Sequence, residues 1–344
     1  MERFHLLALA GAVAVFLFGM ELLCTGLGAL SRDRLRHCLM QAAPSVWHAT
    51  ALGAAVTALV QSSSAVTVVL VGLAAGGALT PEQAAGLIAG ANIGTCTTAF
   101  FIHIGLHAGW MGVFHGIEPL LALAVLLPVL LRRHCPPILS IGAGLAALLT
   151  GMAHMQDALA PLSDSPLFAR LLAQCASPLS GLLAGTIITA ILQSSSACIA
   201  LLQTISSSGM LSLGSVVPVI LGQNIGTCVT ALLASLRAGR AARQTALLHL
   251  LFNVIGAAAV FPLLLIIRQI CPAWLSIPAD SAAIAWVHLA CNLAAAGIFL
   301  PLRRVILAHM TQNSPRKRER LPDRPMFNLR QQSMHSECVA PCPA

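Results

Sequence analysis

Long apolar runs alternate along this chain with short polar interruptions, and the interruptions come twice. Unbroken apolar stretches at residues 4–30, 109–131, 137–153, 245–267 and 282–302 are near or above the roughly 20 residues that a bilayer-crossing helix needs. Residues 46–78 follow a different pattern, an apolar stretch of 33 residues broken in its middle by Gln61-Ser62-Ser63-Ser64. That is too long for one span and too short for two spans and a turn. Two half-length helices of about 15 residues, rising 1.5 Å per residue, reach only about 20 Å into the membrane. The pattern predicts a re-entrant hairpin with the four polar residues at its tip, where non-helical backbone is tolerated because protein or water lines it.

The same four residues return as Gln193-Ser194-Ser195-Ser196, 132 residues later. Each copy is followed at one distance by a second polar break, Asn92-Ile93-Gly94-Thr95 and Asn224-Ile225-Gly226-Thr227, again 132 apart. Gly19-Met20 recurs as Gly151-Met152 at the same separation, and residues 90–99 match 222–231 at eight of ten positions. The chain is therefore a gap-free duplication. Leu79-Thr80-Pro81-Glu82 reads as a helix start, with Thr80 as cap and Pro81 at the first helical position. The helix it opens is expected to unwind near Asn92, as is its mate near Asn224, because Gly and Asn are poor helix formers.

An odd number of crossings in each unit sets the two copies in opposite orientations, with both tips approaching the bilayer midplane. The expected architecture is an all-α integral membrane protein of two inverted-topology repeats with re-entrant helical hairpins and discontinuous helices. Residues 1–135 form the first repeat and 136–268 the second. A final transmembrane helix occupies 269–310, and the polar, Pro-rich segment 311–344 reads as a disordered cytoplasmic tail. Membrane barrels are excluded, since no 10-residue alternation of polar and apolar positions appears.

Composition agrees. Charged residues make up 9% and hydrophobic ones 57%, against a usual charged share of about 25%, so the chain cannot clothe a soluble globule. The net charge of +8 belongs to loops and tail and is a topology signal, not a nucleic-acid footprint. With the first hairpin entering from the cytoplasm, Arg32, Arg34, Arg36, Arg132, Arg133, Arg237, Arg240, Arg243, Arg303 and Arg304 fall inside, and only Arg3, Arg170 and Arg268 outside. This predicts a multi-pass protein of a bacterial inner membrane with a periplasmic N-terminus and a cytoplasmic C-terminus. The first segment carries Glu21 and no short apolar core with a small-residue cleavage site, so it reads as a retained helix. Eleven cysteines, most within apolar segments, imply no disulfide framework.

The polar tips carry the candidate chemistry. Serine hydroxyls can donate to an anion or offer oxygen to a hard cation, and helix N-termini add fixed positive dipole ends. A single membrane serine usually just bonds helix backbone, but a four-residue polar stretch duplicated in register argues for a site. The Asn92/Asn224 and Thr95/Thr227 pairs beside the glycines argue likewise.

These residues resemble a known family. Gly19-Met20, both Gln-Ser-Ser-Ser stretches, the two Gly-x-Asn-Ile-Gly-Thr breaks, His249-Leu250-Leu251-Phe252-Asn253 and His288-Leu289-Ala290-Cys291-Asn292 are similar to the motifs of the type II sodium-phosphate cotransporters, bacterial branch, over about residues 5–305. The resemblance implies inorganic phosphate as substrate, sodium as coupling ion with no other cofactor, and the lipid bilayer as surroundings. It implies phosphate contacts at Ser62, Ser63, Ser64, Ser194 and Ser195, to which the polar breaks add Asn92 and Asn224 as expected phosphate contacts. It implies sodium contacts at Gln61, Thr95, Thr98, Gln193, Ser196, Thr227 and Thr230. Some bacterial members append a cytoplasmic helical domain, in place of which only the short tail is expected here. Cys291 stands where relatives carry Phe, a change of packing.

Isolated polar residues weigh less. Glu21 and Glu118 are acids in apolar surroundings, and Glu21 is a candidate ion or proton ligand. His249 and His288 each precede an Asn by four residues, the spacing of a hydrogen-bonded packing pair. Cys338 and Cys342, with His335 nearby, have only loose metal-ligand spacing. The expected function is alternating-access transport of phosphate driven by sodium. Another small oxyanion, export, or proton coupling are the alternatives within that class. An intramembrane hydrolase lacks a Gly-x-Ser-x-Gly elbow or a Ser-His pair, and a non-transporting scaffold would not duplicate costly polar tips.

Overall fold

The computed structural model describes residues 7–19, 21–22, 25–26, 45–107, 136–159, 177–207, 209–236 and 238–312. The expected span at 109–131, Glu118, the basic loop at 31–37, Arg132-Arg133 and the tail beyond residue 312 lie outside them. The helices of eight or more residues are α1 Leu7–Gly19, α2 Val46–Val60, α3 Ser63–Ala75, α4 Pro81–His107, α5 Pro137–Leu159, α6 Pro178–Leu192, α7 Ser195–Ser206, α8 Leu213–Gly226, α9 Cys228–Ser235, α10 Arg240–Ile270 and α11 Ser281–Gln312, with a single turn at Pro272–Leu275 between the last two. Among the described residues the only β pairing is one isolated bridge, Ser212 to Pro278.

Five stretches are long and apolar enough to cross a membrane: Pro81–Gly105, Pro137–Met155, Leu213–Ser235, Arg240–Ile270 and Ser281–Met310. Large apolar side chains stand exposed on their outer faces, among them Leu263, Ile266 and Ile270, a surface suited to lipid and not to water. The protein is an all-helical, multi-pass membrane protein. The final span is longer than its apolar core suggested, for α11 continues past Arg303-Arg304 to Gln312.

Both helix pairs flanking the serine stretches are half-length. Helices α2 and α6 have 15 residues each, α3 has 13 and α7 has 12; at 1.5 Å per residue none exceeds about 23 Å. Serines start all four. The hydroxyls of Ser45, Ser62, Ser177 and Ser194 accept from backbone N–H groups of the first turns they open, satisfying donors that a helix start leaves unpaired.

The duplication is repeated in three dimensions. Helix α2 lies on α4 so closely that a Cβ on Gly90 would overlap the Thr50 carbonyl oxygen, and a Cβ on Gly94 that of Ala54. Helix α6 lies on α8 in the same way, Gly222 against Leu182 and Gly226 against Thr186, every partner shifted by 132. Between the copies the packing is reciprocal: Gly19 of α1 meets the backbone of Leu148 in α5, and Gly151 of α5 meets that of Phe16 in α1. A contact whose two members exchange on moving by the repeat length is the signature of a local two-fold relation.

Apolar clusters hold this frame. One joins α2, α3 and α4 to α10 and α11, with Phe252 and Phe299 edge to face at 5.3 Å. A second joins α1, α5 and α7 to Ile102 of α4, and a third packs α7, α8 and α11 against Ala99.

One expectation is corrected. Helix α4 does not unwind at Asn92-Ile93-Gly94-Thr95 but runs unbroken through them. Gly90 and Gly94 serve close approach to α2, and the Asn92 side chain donates to the Ile88 carbonyl one turn back at 2.9 Å, so nothing there favours leaving the helix. In the second copy the interruption is a single residue, Thr227, which keeps right-handed dihedrals (φ −60, ψ −24) between α8 and α9.

Candidate functional site

Both pairs of half-length helices are joined at their glutamines. Gln61 ends α2 at φ 57 and Gln193 ends α6 at φ 52, the only non-glycine residues with positive φ among those described. A left-handed residue with a Cβ costs roughly 1–2 kcal/mol, and such strain gathers where function over-determines the backbone. The next residue in each copy, Ser62 or Ser194, then caps the second half-helix by accepting from Ala65 N or Ala197 N, both at 3.2 Å.

The two tips meet. The Ser64 hydroxyl lies 3.5 Å from the backbone oxygen of Gln193, at the outer limit of a hydrogen bond. Gln61 to Ser64 and Gln193 to Ser196, 132 residues apart in sequence, thus form one locality. Ser63, Ser195 and Ser196 are buried there, and Gln193 remains exposed. The start of α3 and the start of α7 both belong to this locality, so two sets of first-turn N–H groups are available to an anion.

The copies differ at their glutamines. Thr98 donates to Gln61 Oε1 at 2.9 Å, and Gln61 Nε2 donates to Thr97 Oγ1 at 3.2 Å and to the Ala58 carbonyl, which fastens the first tip to α4. In the second copy Val229 replaces Thr97, Thr230 donates to the Thr227 carbonyl at 2.9 Å, and the Gln193 side chain has no partner among the described residues. The expected sodium residues Thr95 and Thr227 are buried, with hydroxyls returned to Ala91 O and Gln223 O at 2.8 Å. Their remaining lone pairs are free to accept.

Of the asparagines, Asn92 bonds only its own helix, whereas Asn224 Nδ2 reaches Asn292 Oδ1 of α11 at 3.4 Å. Asn292 in turn donates to Cys96 Sγ at 3.4 Å, and Asn253 of α10 donates to Cys228 Sγ at 3.2 Å. Cys96 and Cys228 are repeat mates, so α10 and α11 each place an Asn against the same point of one copy. The expected His–Asn pairing is corrected here. Each Asn amide bonds the backbone carbonyl of its histidine, at 3.1 Å for His249 and 2.9 Å for His288, as any residue could, and both ring nitrogens of His249 are buried without a partner.

Sequence reasoning missed Thr97, whose difference from Val229 was visible but whose partner was not. It also missed Gln203, a buried α7 residue whose amide ties Ala99 O at 3.0 Å to Ser281 O at 2.8 Å; its mate is Val71, so the duplication gave no signal. Glu21 is exposed. Among the described residues no three His, Cys, Asp or Glu side chains gather to hold a metal. The tips offer amide and hydroxyl oxygens, the donor set of hard cations.

Known proteins resemble this chain in sequence. The chain is 32% identical over 309 residues to "Uncharacterized protein YqeW" of Bacillus subtilis, covering 86% of this chain and 94% of that one. It is 28% identical over 302 residues to "Putative inorganic phosphate export protein YjbB" of Escherichia coli, of which it spans about half, 53%. A shorter match, 37% over 94 residues, joins it to the rabbit "Sodium-dependent phosphate transport protein 2A". No solved structure matches. The sequence profile described as Na+/Pi-cotransporter matches residues 15–157 and again 147–271, one match for each copy of the duplication. With a profile that covers most of the chain and relatives that span nearly all of it, the protein belongs to the Na+/Pi-cotransporter family.

Proposed function

We propose that this protein is a secondary active transporter, not an enzyme, that moves inorganic phosphate across a bacterial inner membrane coupled to sodium. The observation that carries the reading is the meeting of the two Gln-Ser-Ser-Ser tips, Ser64 against Gln193. Hydroxyls and helix N-termini from both copies converge on one place, as an oxyanion requires. Phosphate contacts Ser62, Ser63, Ser64, Ser194 and Ser195, with Asn92 and Asn224 behind them. Sodium takes oxygens from Gln61, Thr95, Thr98, Gln193, Ser196, Thr227 and Thr230.

The reciprocal packing of Gly19 and Gly151 supports repeats related by a two-fold axis. Taken with the arginine distribution, it supports inverted units 1–135 and 136–268 whose hairpins re-enter from opposite faces, followed by the final span within 269–310 and a cytoplasmic tail at 311–344. Alternating access is then the exchange of the two copies' conformations. The glutamines supply two such conformations within one molecule: Gln61 is clasped by Thr98 and Gln193 is unclasped. Outward transport is a second reading, favoured by the export named for YjbB. Radiolabelled phosphate flux in proteoliposomes, with sodium gradients of either direction and with none, tests both. Flux that ignores sodium removes the coupling, and flux only down an outward gradient selects export.

A further inference from the structure

Most threonines of this protein return the hydroxyl to a nearby carbonyl of their own chain segment, Thr67, Thr97 and Thr230 to the one three residues back, while Thr98 donates to Gln61. The hydroxyls of Thr50, Thr95, Thr186, Thr204, Thr227 and Thr245 each return to the carbonyl four residues back, at 2.7–3.0 Å, the usual resting bond of a helical threonine. Thr57 and Thr189 do not. Both are fully buried, at 0% exposure, and neither hydroxyl returns to a backbone carbonyl; that of Thr57 has no partner among the described residues, and that of Thr189 has only the Cys198 thiol. They are repeat mates, 132 apart, so the departure occurs twice at one structural position.

That position is the last turn of each hairpin's first helix. The carbonyl of Thr57 accepts the backbone N–H of Gln61 at 2.8 Å, and that of Thr189 accepts from Gln193 at 2.7 Å. A Cβ placed on Gly94 would stand 2.9 Å from the Thr57 Cβ, and one on Gly226 equally far from the Thr189 Cβ. Each threonine therefore sits where the first half-length helix crosses the glycine helix, against Gly94 in one copy and Gly226 in the other. The Cys198 thiol hydrogen-bonds the Thr189 side chain, but its mate is Val66, so a thiol does not account for the hydroxyl that leaves its own helix in both copies, and a hydroxyl in such a bond keeps a lone pair for a cation.

Helix ends sort ions by sign. The start of α3 or α7 presents N–H groups and suits an anion, whereas the end of α2 or α6 presents carbonyls without intrahelical donors and suits a cation. Non-helical carbonyls and half-helix C-terminal ends are where transporters hold coupling cations. A hard cation takes neutral oxygens, and a hydroxyl kept off its own carbonyl is one. We infer that Thr57 and Thr189 each give a hydroxyl oxygen to a sodium ion at the C-terminal end of α2 and of α6, one position per copy. This rests on the sodium-coupled reading above and adds two ligands to it.

The test uses the purified full chain and its Thr57→Val, Thr189→Val, Thr57→Ser and Thr189→Ser variants. Unfolding midpoints are measured without phosphate while sodium replaces choline at constant ionic strength, and the sodium dependence of phosphate flux is measured in proteoliposomes. Valine removes the hydroxyl and keeps the shape; Thr57→Val loses no bond and should match or exceed the parent midpoint in choline, and Thr189→Val loses only its contact with the Cys198 thiol and should stay close to the parent. The half-saturating sodium of each Val variant should rise about tenfold, the loss of one good ligand contact, while the Ser variants stay near the parent. Val variants with the parent's sodium titration overturn the inference and assign the hydroxyls to buried water. Val variants with lowered midpoints in choline and unchanged sodium shifts overturn it in favour of a structural role. A parent protein that binds phosphate but never responds to sodium overturns the coupled reading, and this inference with it.

Discussion

Ser64 and Gln193, 129 residues apart in the chain, stand hydroxyl to carbonyl at 3.5 Å, and through them the two halves of a duplicated sequence share one polar centre. The contact joins a side chain in the first turn of α3 to the backbone of the left-handed residue that ends α6. If transport exchanges the conformations of the two copies, the contact has to break in every cycle. Cysteines at positions 64 and 193, in a chain otherwise free of cysteine, should be joined by a short bis-thiol-reactive linker in membranes, read as a cross-linked product that reductant releases. Failure of the pair to join would mean that the two tips stand apart.

The serines next to that contact should matter for transport and not for folding. Ser63 and Ser195 are buried at the first helical positions of α3 and α7, where a hydroxyl lost from a dry site costs about 1–3 kcal/mol. Ser63→Ala and Ser195→Ala should each lower phosphate flux roughly tenfold or more with unchanged yield of folded protein. Wild-type flux in the double variant removes both serines from the site.

The left-handed glutamines separate strain from function. Glycine adopts that conformation without the penalty of roughly 1–2 kcal/mol, so Gln193→Gly, which loses no side-chain bond among the described residues, should stabilise the purified protein by about 1 kcal/mol. Gln61→Gly forfeits the bonds to Thr97 and Thr98 and should gain little. Both should lose sodium-driven flux. Thermal midpoints and flux on the same preparations check this, and a Gln193→Gly protein that is both more stable and fully active would deprive the strained glutamine of a role.

Much of the frame was legible because polar residues in an apolar chain have few places to go. A run of serines after a glutamine both ends one helix and caps the next, and an exact duplication fixed the equivalence of the two hairpins before any contact was known. Glycine is less legible. At Asn92-Ile93-Gly94-Thr95 it suggested a break, yet in the folded protein it lets α2 lie on α4; a glycine announces either a bend or a close neighbour, and only the neighbour distinguishes them. Partnerships across the fold were hidden for a different reason. Nothing near Asn224 in sequence points to Asn292, which arrives on α11 from 68 residues away, and nothing in the duplication marks Gln203, whose mate is a valine.

The close approach of α2 and α4 gives a stability prediction with an internal control. A Cβ on Gly90 meets backbone that cannot rotate away, so Gly90→Ala should destabilise by about 1–3 kcal/mol, the usual cost of overpacking, and Gly222→Ala should behave alike. Gly72, exposed in α3 with nothing within 4 Å of its added Cβ, should instead gain roughly 0.5–1 kcal/mol on change to Ala. Thermal unfolding of the three variants checks the contrast, and equal effects at Gly72 and Gly90 would remove the packing explanation.

The last prediction follows from the charges that surround the tips. From residue 177 to 236 the sequence contains no Asp, Glu, Lys or Arg, and from 45 to 107 it contains only Glu82. On the proposed reading, a phosphate held between the tips, with one to two negative charges, meets only hydroxyls, amides and helix ends from these two segments. Each helix end contributes about half a charge at best, whereas an uncompensated ion in a low-dielectric site faces a desolvation penalty of several kcal/mol. Cations therefore have to enter with the anion, and each raises the affinity for the other by the same factor, as linkage demands. Phosphate affinity of the purified protein should fall at least tenfold when choline replaces sodium. Thr227→Val removes one oxygen from the cation's surroundings and should weaken the sodium dependence more than the flux at saturating sodium. Equal phosphate affinity in sodium and in choline, at a pH too high for protons to substitute, would mean that some other group balances the anion's charge.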